Sequence, residues 1–309
     1  MITTVTLNPA IDRTLTLENL HLGGVNRILS SSEKMGGKGL NVSIVLHALG
    51  VETIAVGLIG KKNKDATSDL MKSLEFHKEF QEIPALTRTN TKLIDRQKKQ
   101  TTDLNEAGFN VKASDMRTFS ERLKTWAMRS DYTVLSGSLP AGLPDDTYRK
   151  IMQEHMQLSE FMLDADGDAL VEGVKAHPFL IKPNLDELNV AFHQNLHTNE
   201  EITEYCHMLI ETYDIGMILV SLGENGSLLV THDTAYHASA LPIDVVSTVG
   251  AGDAMLAGFL AGLSRSLALE ECLRMANVCG ALRCSANDDA LFDYADVIGH
   301  IDAIEIRYL

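Results

Sequence analysis

Ser247-Thr-Val-Gly-Ala-Gly-Asp253-Ala-Met-Leu-Ala-Gly-Phe-Leu-Ala-Gly262 decides how this chain is read. Gly250 and Gly252, with Ala251 between them, open a run whose small and apolar residues (Ala254, Ala257, Gly258, Ala261, Gly262) predict a helix. A glycine turn at a helix start leaves backbone N–H groups free at the positive end of the helix dipole, which suits an anion. Glycine has no β-carbon to hold that anion away from the backbone. Asp253 then falls in the first turn, beside the anion. A carboxylate there repels a resting phosphate, and proton chemistry explains it: a base takes a hydroxyl proton as a phosphoryl group arrives. Equally, the dipole alone stabilises an acid in the first turn of a glycine-capped helix, so these residues by themselves leave both explanations open. No third glycine follows at dinucleotide-binding spacing.

A second loop of the same kind lies upstream. Met35-Gly-Gly-Lys-Gly-Leu-Asn41 precedes the apolar periodic segment Val42–Leu49, which Gly50 closes. It is not a Walker A loop, because no Ser or Thr follows Lys38. Two such loops, one with Lys38 and one with Asp253, suggest two anionic ligands facing each other. Ile2–Leu7 predicts a strand that Asn8-Pro9 ends, and Asp12 follows at its carboxyl end, where α/β sheets place ligands. Thr14–Leu17 and Val25–Ser31, split by Gly23-Gly24, predict two short strands of a separate small sheet. Thr53–Ile59 predicts a buried strand and Asp65–Leu74 an amphipathic helix. Between Ile83 and Gly108 the pattern is strand-like and polar: Arg88–Lys92 and Thr101–Asn105, joined by a charged, solvated tip from Asp95 to Gln100. Arg88 and Lys92, four apart, share one face of a strand.

From Ser114 the order turns regular. Helices are predicted over Ser114–Arg129 (Ser114 as N-cap), Asp145–Leu158, Gly167–Ala176, Asn184–Phe192 and Glu200–Tyr213. Strands over Tyr132–Ser136, Phe161–Asp164, Phe179–Lys182 and Met217–Leu222 alternate with them. A hairpin over Gly226–Thr231 and Thr234–Ala238 precedes the Asp253 loop, and helices over Leu267–Ser285 and Asp293–Ile304 close the chain. This alternation predicts an α/β fold, a doubly wound and mostly parallel sheet flanked by helices, with a small β-sheet beside it. At 309 residues, with no internal repeat or linker, the chain is read as one domain, 1–309. Its formal net charge of −15 argues against nucleic acid and anionic membranes as partners, so any anionic ligand needs a local group of cations and amides. Cys206, Cys272, Cys279 and Cys284 form no Cys-x-x-Cys pair and are read as reduced and packed. The N-terminus has no signal-like region and no apolar run is long enough to span a membrane, so the expected compartment is the cytoplasm.

Taken together, Val246–Asp253, Gly36–Asn41 and Thr6-Leu-Asn-Pro-Ala-Ile-Asp12 resemble the ribokinase-like carbohydrate kinases, and within them the phosphofructokinase-B branch. The resemblance runs from Thr4 to about Ala286. It implies an anion hole for a transferred phosphoryl group at Gly250, Ala251 and Gly252, with Asp253 as catalytic base. It implies that Asp12 grips sugar hydroxyls and that Gly36, Gly37, Lys38, Asn41, Arg88, Asn90 and Lys92 meet a substrate's own phosphate, with Ser138 against the substrate. Lys182, Asn184, Ser221, Gly223, Gly226, Thr248 and Asn277 match nucleotide-side positions, and Glu187 the acid that organises Mg²⁺ through water. Residues of about 13–34 and 84–108 correspond to a β-lid that in relatives often also forms a homodimer contact. The implied activity is ATP-dependent phosphorylation of a ketohexose phosphate. Ile243–Asp253, Arg88–Lys92 and Thr102–Asn105 with Gly108-Phe109 look most like the members acting on fructose 1-phosphate. Tagatose 6-phosphate and fructose 6-phosphate are the alternative substrates. A ribokinase or nucleoside kinase would share Asp253 without needing Arg88 and Lys92, and a silent sugar-phosphate sensor could share the fold. One stretch departs from the pattern: Asn287-Asp-Asp-Ala290 stands where relatives usually carry a glycine and a hydroxyl residue, which leaves a monovalent-cation site and part of the adenine-side loop open questions for this chain.

Overall fold

A computed structural model describes residues 1–285 and 291–309, so the Asn287–Ala290 stretch and the monovalent-cation question attached to it lie outside the described residues. The chain opens on β1 (Ile2–Thr6), then the pair β2 (Ala10–Leu17) and β3 (Ile28–Gly36), before its first helix, α1 (Lys38–Ala48). Next come β4 (Thr53–Gly60), α2 (Lys64–Met71), β5 (His77–Ile83) and a second pair, β6 (Arg88–Asp95) and β7 (Gln100–Leu104). The regular part runs α3 (Ala113–Ala127), β8 (Tyr132–Ser136), α4 (Thr147–His155), β9 (Glu160–Asp164), α5 (Gly167–Gly173) and β10 (Leu180–Ile181). It continues with α6 (Leu185–Ala191), α7 (Asn199–Tyr213), β11 (Met217–Ser221) and the hairpin β12 (Ser227–Thr231) and β13 (Ala235–Ala238). The last elements are α8 (Ala251–Leu263), α9 (Leu269–Ser285), α10 (Tyr294–His300) and β14 (Ile306–Tyr308).

The large sheet has the order β14-β13-β12-β11-β10-β9-β8-β1-β4-β5. Pairing is parallel throughout from β11 to β5 and antiparallel from β11 to β14. Both faces are buried, which is why its strands read as apolar runs. Phe161 and Leu163 of β9 join one core with Ile218 and Val220 of β11, while Met162, Met217 and Leu219 join the other. The two-residue strand period divides each strand between two cores. β1 lies between β4 and β8, and the chain builds outward from it first one way and then the other. That reversal opens a crevice at the carboxyl ends of β1 and β8, where ligands bind in such sheets.

The second sheet has the order β3-β2-β6-β7, with β2 parallel to β6 and the two hairpin pairs antiparallel. Three of its strands, β2, β3 and β6, are longer than the sequence predicts; β3 is exposed over most of its length and has no hydrophobic period to mark its ends. Asp12 is consequently the third residue of β2, inside the small sheet, and not at the end of β1. α1 begins at Lys38, so Lys38 and Asn41 lie in its first turn and not in a loop before it. Gly37, at φ 132°, precedes that turn, and a β-carbon on Gly39 would sit 2.6 Å from Val5 O, so α1 starts hard against β1. α3 starts one residue earlier than predicted, with Lys112 N donating to Asp115 Oδ2 at 3.1 Å; Ser114 is inside the first turn, not its cap. The charged edge strand β5 was not legible as a strand at all. The turn after β6 is solvated over residues 96–100, as predicted, but Asp95 at its start is buried, accepting from Leu20 N and Lys98 N at 2.9 Å each.

Small residues in α8 serve close packing. A β-carbon on Gly258 would lie 2.6 Å from Met275 O, and one on Gly262 2.8 Å from Cys272 Cα, so the two helices approach backbone to backbone. All four cysteines are free thiols; Cys206, Cys272 and Cys279 are buried and Cys284 is half-buried. Among the described residues no helix is long and apolar enough to cross a membrane.

Candidate active site

Gly250 takes the left-handed conformation (φ 78°) that a side chain resists, and Ala254 N closes the first turn of α8 onto its carbonyl at 2.9 Å. Asp253 is therefore the third residue of α8, almost wholly buried, with Asn41 Nδ2 donating to its Oδ2 at 2.8 Å. Burial, and then the negative charge of Asp164, push its carboxyl up to about 6; Asn41, Lys38 and Lys182 pull the other way. A buried base poised just under neutrality is suited to taking a proton from an alcohol.

Asp164, which ends β9, organises the floor beneath it. Its side chain has no exposed surface. Lys182 Nζ lies 3.3 Å and Lys38 Nζ 3.4 Å from its Oδ1, and Ser136 Oγ donates to Oδ2 at 3.1 Å. Burial alone would raise the Asp164 carboxyl, but the two ammonium groups and the hydroxyl together hold it below the usual range. Lys38, 3.7 Å from Glu187 Oε1, is in turn held strongly protonated, mainly by Asp164. Lys38 thus stands among the acids around Asp253, whereas the resemblance implies that it meets the substrate's own phosphate together with Arg88 and Lys92. Lys182 also faces the anion loop: a β-carbon on Gly252 would lie 3.1 Å from its Nζ. In the sequence Asp164 is only the last residue of a predicted strand, and its signal is a lone acid closing the apolar run Phe161–Leu163.

Asn184 and Glu187 cap α6 reciprocally, Asn184 N donating to Glu187 Oε2 (2.9 Å) and Glu187 N to Asn184 Oδ1 (2.7 Å). One carboxylate oxygen is thereby used, and Oε1 remains on the Lys38 side. Among the described residues no three His, Cys, Asp or Glu side chains form a metal cage. A divalent ion here fits only as one held largely by phosphate oxygens and water, with Asp164 and Glu187 at hand, which is the usual Mg²⁺ arrangement. Farther along the sheet edge, Asn184 bridges Ser221, and Gly223 (φ 60°) and Gly226 (φ 86°) shape the turn into β12. Thr248 is exposed, its carbonyl accepting from Ala251 N at 3.3 Å. Asn277, which the resemblance implies on the nucleotide side, sits on α9. It is buried, its Nδ2 donating to Ser227 Oγ (2.7 Å) and Leu273 O (2.9 Å), so it braces α9 against β12.

On the small sheet, the register sets Ala10, Asp12 and Thr14 against Arg88, Asn90 and Lys92, so alternate residues of two strands share one face. Asn90 Nδ2 donates to Asp12 Oδ1 at 3.0 Å, and a β-carbon on Gly36 would fall inside the Asp12 carboxylate. Burial raises the Asp12 carboxyl, outweighing Asn90, Lys34, Arg88 and Lys92, which lower it. Arg88 donates from Nη1 to Glu106 O (2.9 Å) and from Nη2 to Asn8 O (3.0 Å), clasping the chain where it leaves and re-enters the sheet. Arg88 Nε and Asn90 Oδ1 are buried without a partner among the described residues. Buried polar atoms are ordinarily paired, so an unfilled donor and acceptor beside Asp12 mark a place for a polar, hydroxyl-bearing ligand. Asn8, read in the sequence only as a strand end, joins the two regions: its Nδ2 donates to Ser138 Oγ and to Ala107 O, both at 3.2 Å. Ser138 itself is exposed in the loop after β8, which the Tyr148 hydroxyl holds through Gly137 O at 2.8 Å.

A profile of the pfkB family of carbohydrate kinases matches residues 5–291. The chain is 35% identical over 282 residues to the 1-phosphofructokinase of Bacillus subtilis, covering 91% of each protein. It is 33% identical over 307 residues to the 1-phosphofructokinase of Escherichia coli K12, covering 99% of this chain and 98% of that one. In fold it is similar to the structure of phosphofructokinase-2 from Escherichia coli in complex with potassium, with a TM-score of 0.90 over 98% of each chain at 22% identity.

Proposed function

The chain belongs to the pfkB family of carbohydrate kinases, and we propose that it transfers the γ-phosphoryl group of ATP to the 6-hydroxyl of fructose 1-phosphate, giving fructose 1,6-bisphosphate and ADP. The observation that carries this reading is the buried Asp253 carboxyl, pushed up to about 6 at the head of the α8 glycine loop and flanked by the Asp164–Lys38–Lys182 cluster. In the reaction the sugar hydroxyl oxygen bonds to the γ-phosphorus as the bond from phosphorus to the β–γ bridging oxygen breaks. ADP leaves with that electron pair, and the hydroxyl proton passes to Asp253. Amides of Gly250, Ala251 and Gly252, with Lys38 and Lys182, offset the charge spread over the transferred group. Asp12 and Asn90 grip sugar hydroxyls; Gly36, Gly37, Asn41, Ser138, Arg88 and Lys92 complete the sugar-phosphate side. Ser221, Gly223, Gly226, Asn184 and Thr248 form the nucleotide side. Mg²⁺, when bound with ATP, neutralises phosphate charge, with Glu187 as its protein contact through water.

In the same reading residues 1–309 form one kinase unit in the cytoplasm. The four-stranded sheet acts as its lid, excluding water that would otherwise hydrolyse ATP. A second copy of the chain docks on that lid. The substrate assignment is tested by measuring ADP release with fructose 1-phosphate, fructose 6-phosphate, tagatose 6-phosphate and ribose side by side. We expect kcat/KM for fructose 1-phosphate to lead by at least about tenfold, roughly 1.4 kcal/mol of differential transition-state binding. A lead for tagatose 6-phosphate or fructose 6-phosphate would replace the substrate. Binding of fructose 1-phosphate with no ADP release would point instead to a sensor.

A further inference from the structure

The charge around the anion loop is unbalanced by the groups described so far. Lys38 and Lys182 face three acids, Asp164, Glu187 and Asp253, before any phosphate arrives. A nucleoside triphosphate adds further negative charge to the same place. One more cation reaches the loop from the opposite side. Arg283, in the last turn of α9, carries its Nε to 3.4 Å from where a β-carbon on Gly250 would stand. Gly252 has Lys182 on its β-carbon side at 3.1 Å, so the two loop glycines are each backed by a different cation. The approach is anchored by backbone: Val246 N and Ser247 N both donate to Cys284 O, at 2.8 and 3.1 Å, tying the segment before the loop to the residue after Arg283.

We propose that Arg283 is a nucleotide-binding residue, its guanidinium meeting the terminal phosphates of a nucleoside triphosphate on the outer side of the Gly250–Gly252 loop. The planar fork of Arg suits two phosphate oxygens at once, and a phosphate seated over the loop amides lies within reach of a guanidinium already against Gly250. Glycine at position 250 follows from the left-handed backbone, and at 3.4 Å the arginine is at contact distance from that side of the loop. The inference rests on the kinase reading above, but nucleotide affinity can be measured without turnover.

Affinity of the full chain for a non-hydrolysable ATP analogue with Mg²⁺ is measured by calorimetry for wild type, Arg283→Ala and Arg283→Lys. Steady-state kinetics then vary ATP and fructose 1-phosphate separately. Loss of a charge-assisted contact predicts about 10–100-fold weaker analogue binding or higher KM for ATP in Arg283→Ala, with Arg283→Lys recovering part of it. KM for fructose 1-phosphate should stay within about twofold of wild type, because the sugar side does not meet this residue. Unchanged analogue affinity in a folded Arg283→Ala, or equal losses for both substrates, would overturn the proposal. So would a drop in melting temperature with analogue affinity intact, since that marks a packing role. Wild type that binds the analogue but phosphorylates no sugar removes the kinase reading and leaves the affinity comparison to decide on Arg283.

Discussion

Asp253 bears a conflict between folding and chemistry. Its carboxyl, about 6 in the folded chain against 3.8 in the unfolded one, costs stability wherever the unfolded chain is ionised and the folded one resists ionisation. Between those two values the folded state holds more protons, so this contribution to stability is greatest below pH 3.8 and is lost as pH rises through 6. Asp253→Asn removes the charge and keeps an acceptor for Asn41, and it should therefore melt higher than wild type at pH 7.5. The same change should lower kcat about 10²–10⁴-fold, the usual worth of a positioned base. In wild type the acidic limb of kcat/KM should fall near pH 6, where the free enzyme's base protonates. A variant that is both more stable and nearly as active as wild type would show that Asp253 is not the base. Arg88 shows why a single residue resists a single reading. Its spacing with Lys92 places the two on one strand face and only the family resemblance implies a phosphate ligand, while its clasp on Glu106 O and Asn8 O is something no spacing reveals.

At the scale of elements, α8 was the most legible piece of the chain and the small sheet the least. The glycine loop, the acid in the first turn and the run of small residues all follow from local chemistry, and α8 spans Ala251–Leu263 as that chemistry requires. β2 and β3 depend on pairing with each other and with β6, and exposed strands carry no apolar period that would reveal their ends. Asp164, Lys38 and Lys182 come from β9, α1 and the end of β10, and only the sheet order brings both ammonium groups within 3.4 Å of the Asp164 carboxylate. The glycines of α8 give a direct test of the packing. Gly258→Ala raises helix propensity by about 1 kcal/mol. Against that, its β-carbon would stand 2.6 Å from the backbone oxygen of Met275, which cannot rotate away. Overpacking of this kind costs about 1–3 kcal/mol, so the net effect should be a loss. Chemical denaturation should place Gly258→Ala below wild type, and a higher midpoint would mean that α9 yields readily.

Over the whole molecule, the two halves of the site sit on different supports. Asp253, Lys182 and Asp164 stand on the large sheet and its helices, whereas Asp12, Asn90 and Lys92 stand on a four-stranded sheet with two free edges, β3 and β7. Open edges invite pairing with another chain unless something covers them. Around the β2–β3 connection the small sheet also exposes Leu22 (92%), Val25 (90%), Ile28 (53%) and Leu29 (54%), while β7 ends on exposed Leu104. A chain with a net charge of −15 tends to repel its own copies, so apolar surface of this kind must supply the attraction if the lid is to dimerise. We therefore expect the wild type to be a dimer by light scattering at micromolar concentration. A double change, Leu22→Glu with Ile28→Glu, should shift it towards monomer without unfolding it, because both side chains are exposed in the single chain. If the lid needs that support to hold Asp12 over the crevice, KM for the sugar phosphate should rise with dissociation while KM for ATP changes little. A wild type that stays monomeric at these concentrations, or a double variant that remains dimeric, would take the contact away from the lid.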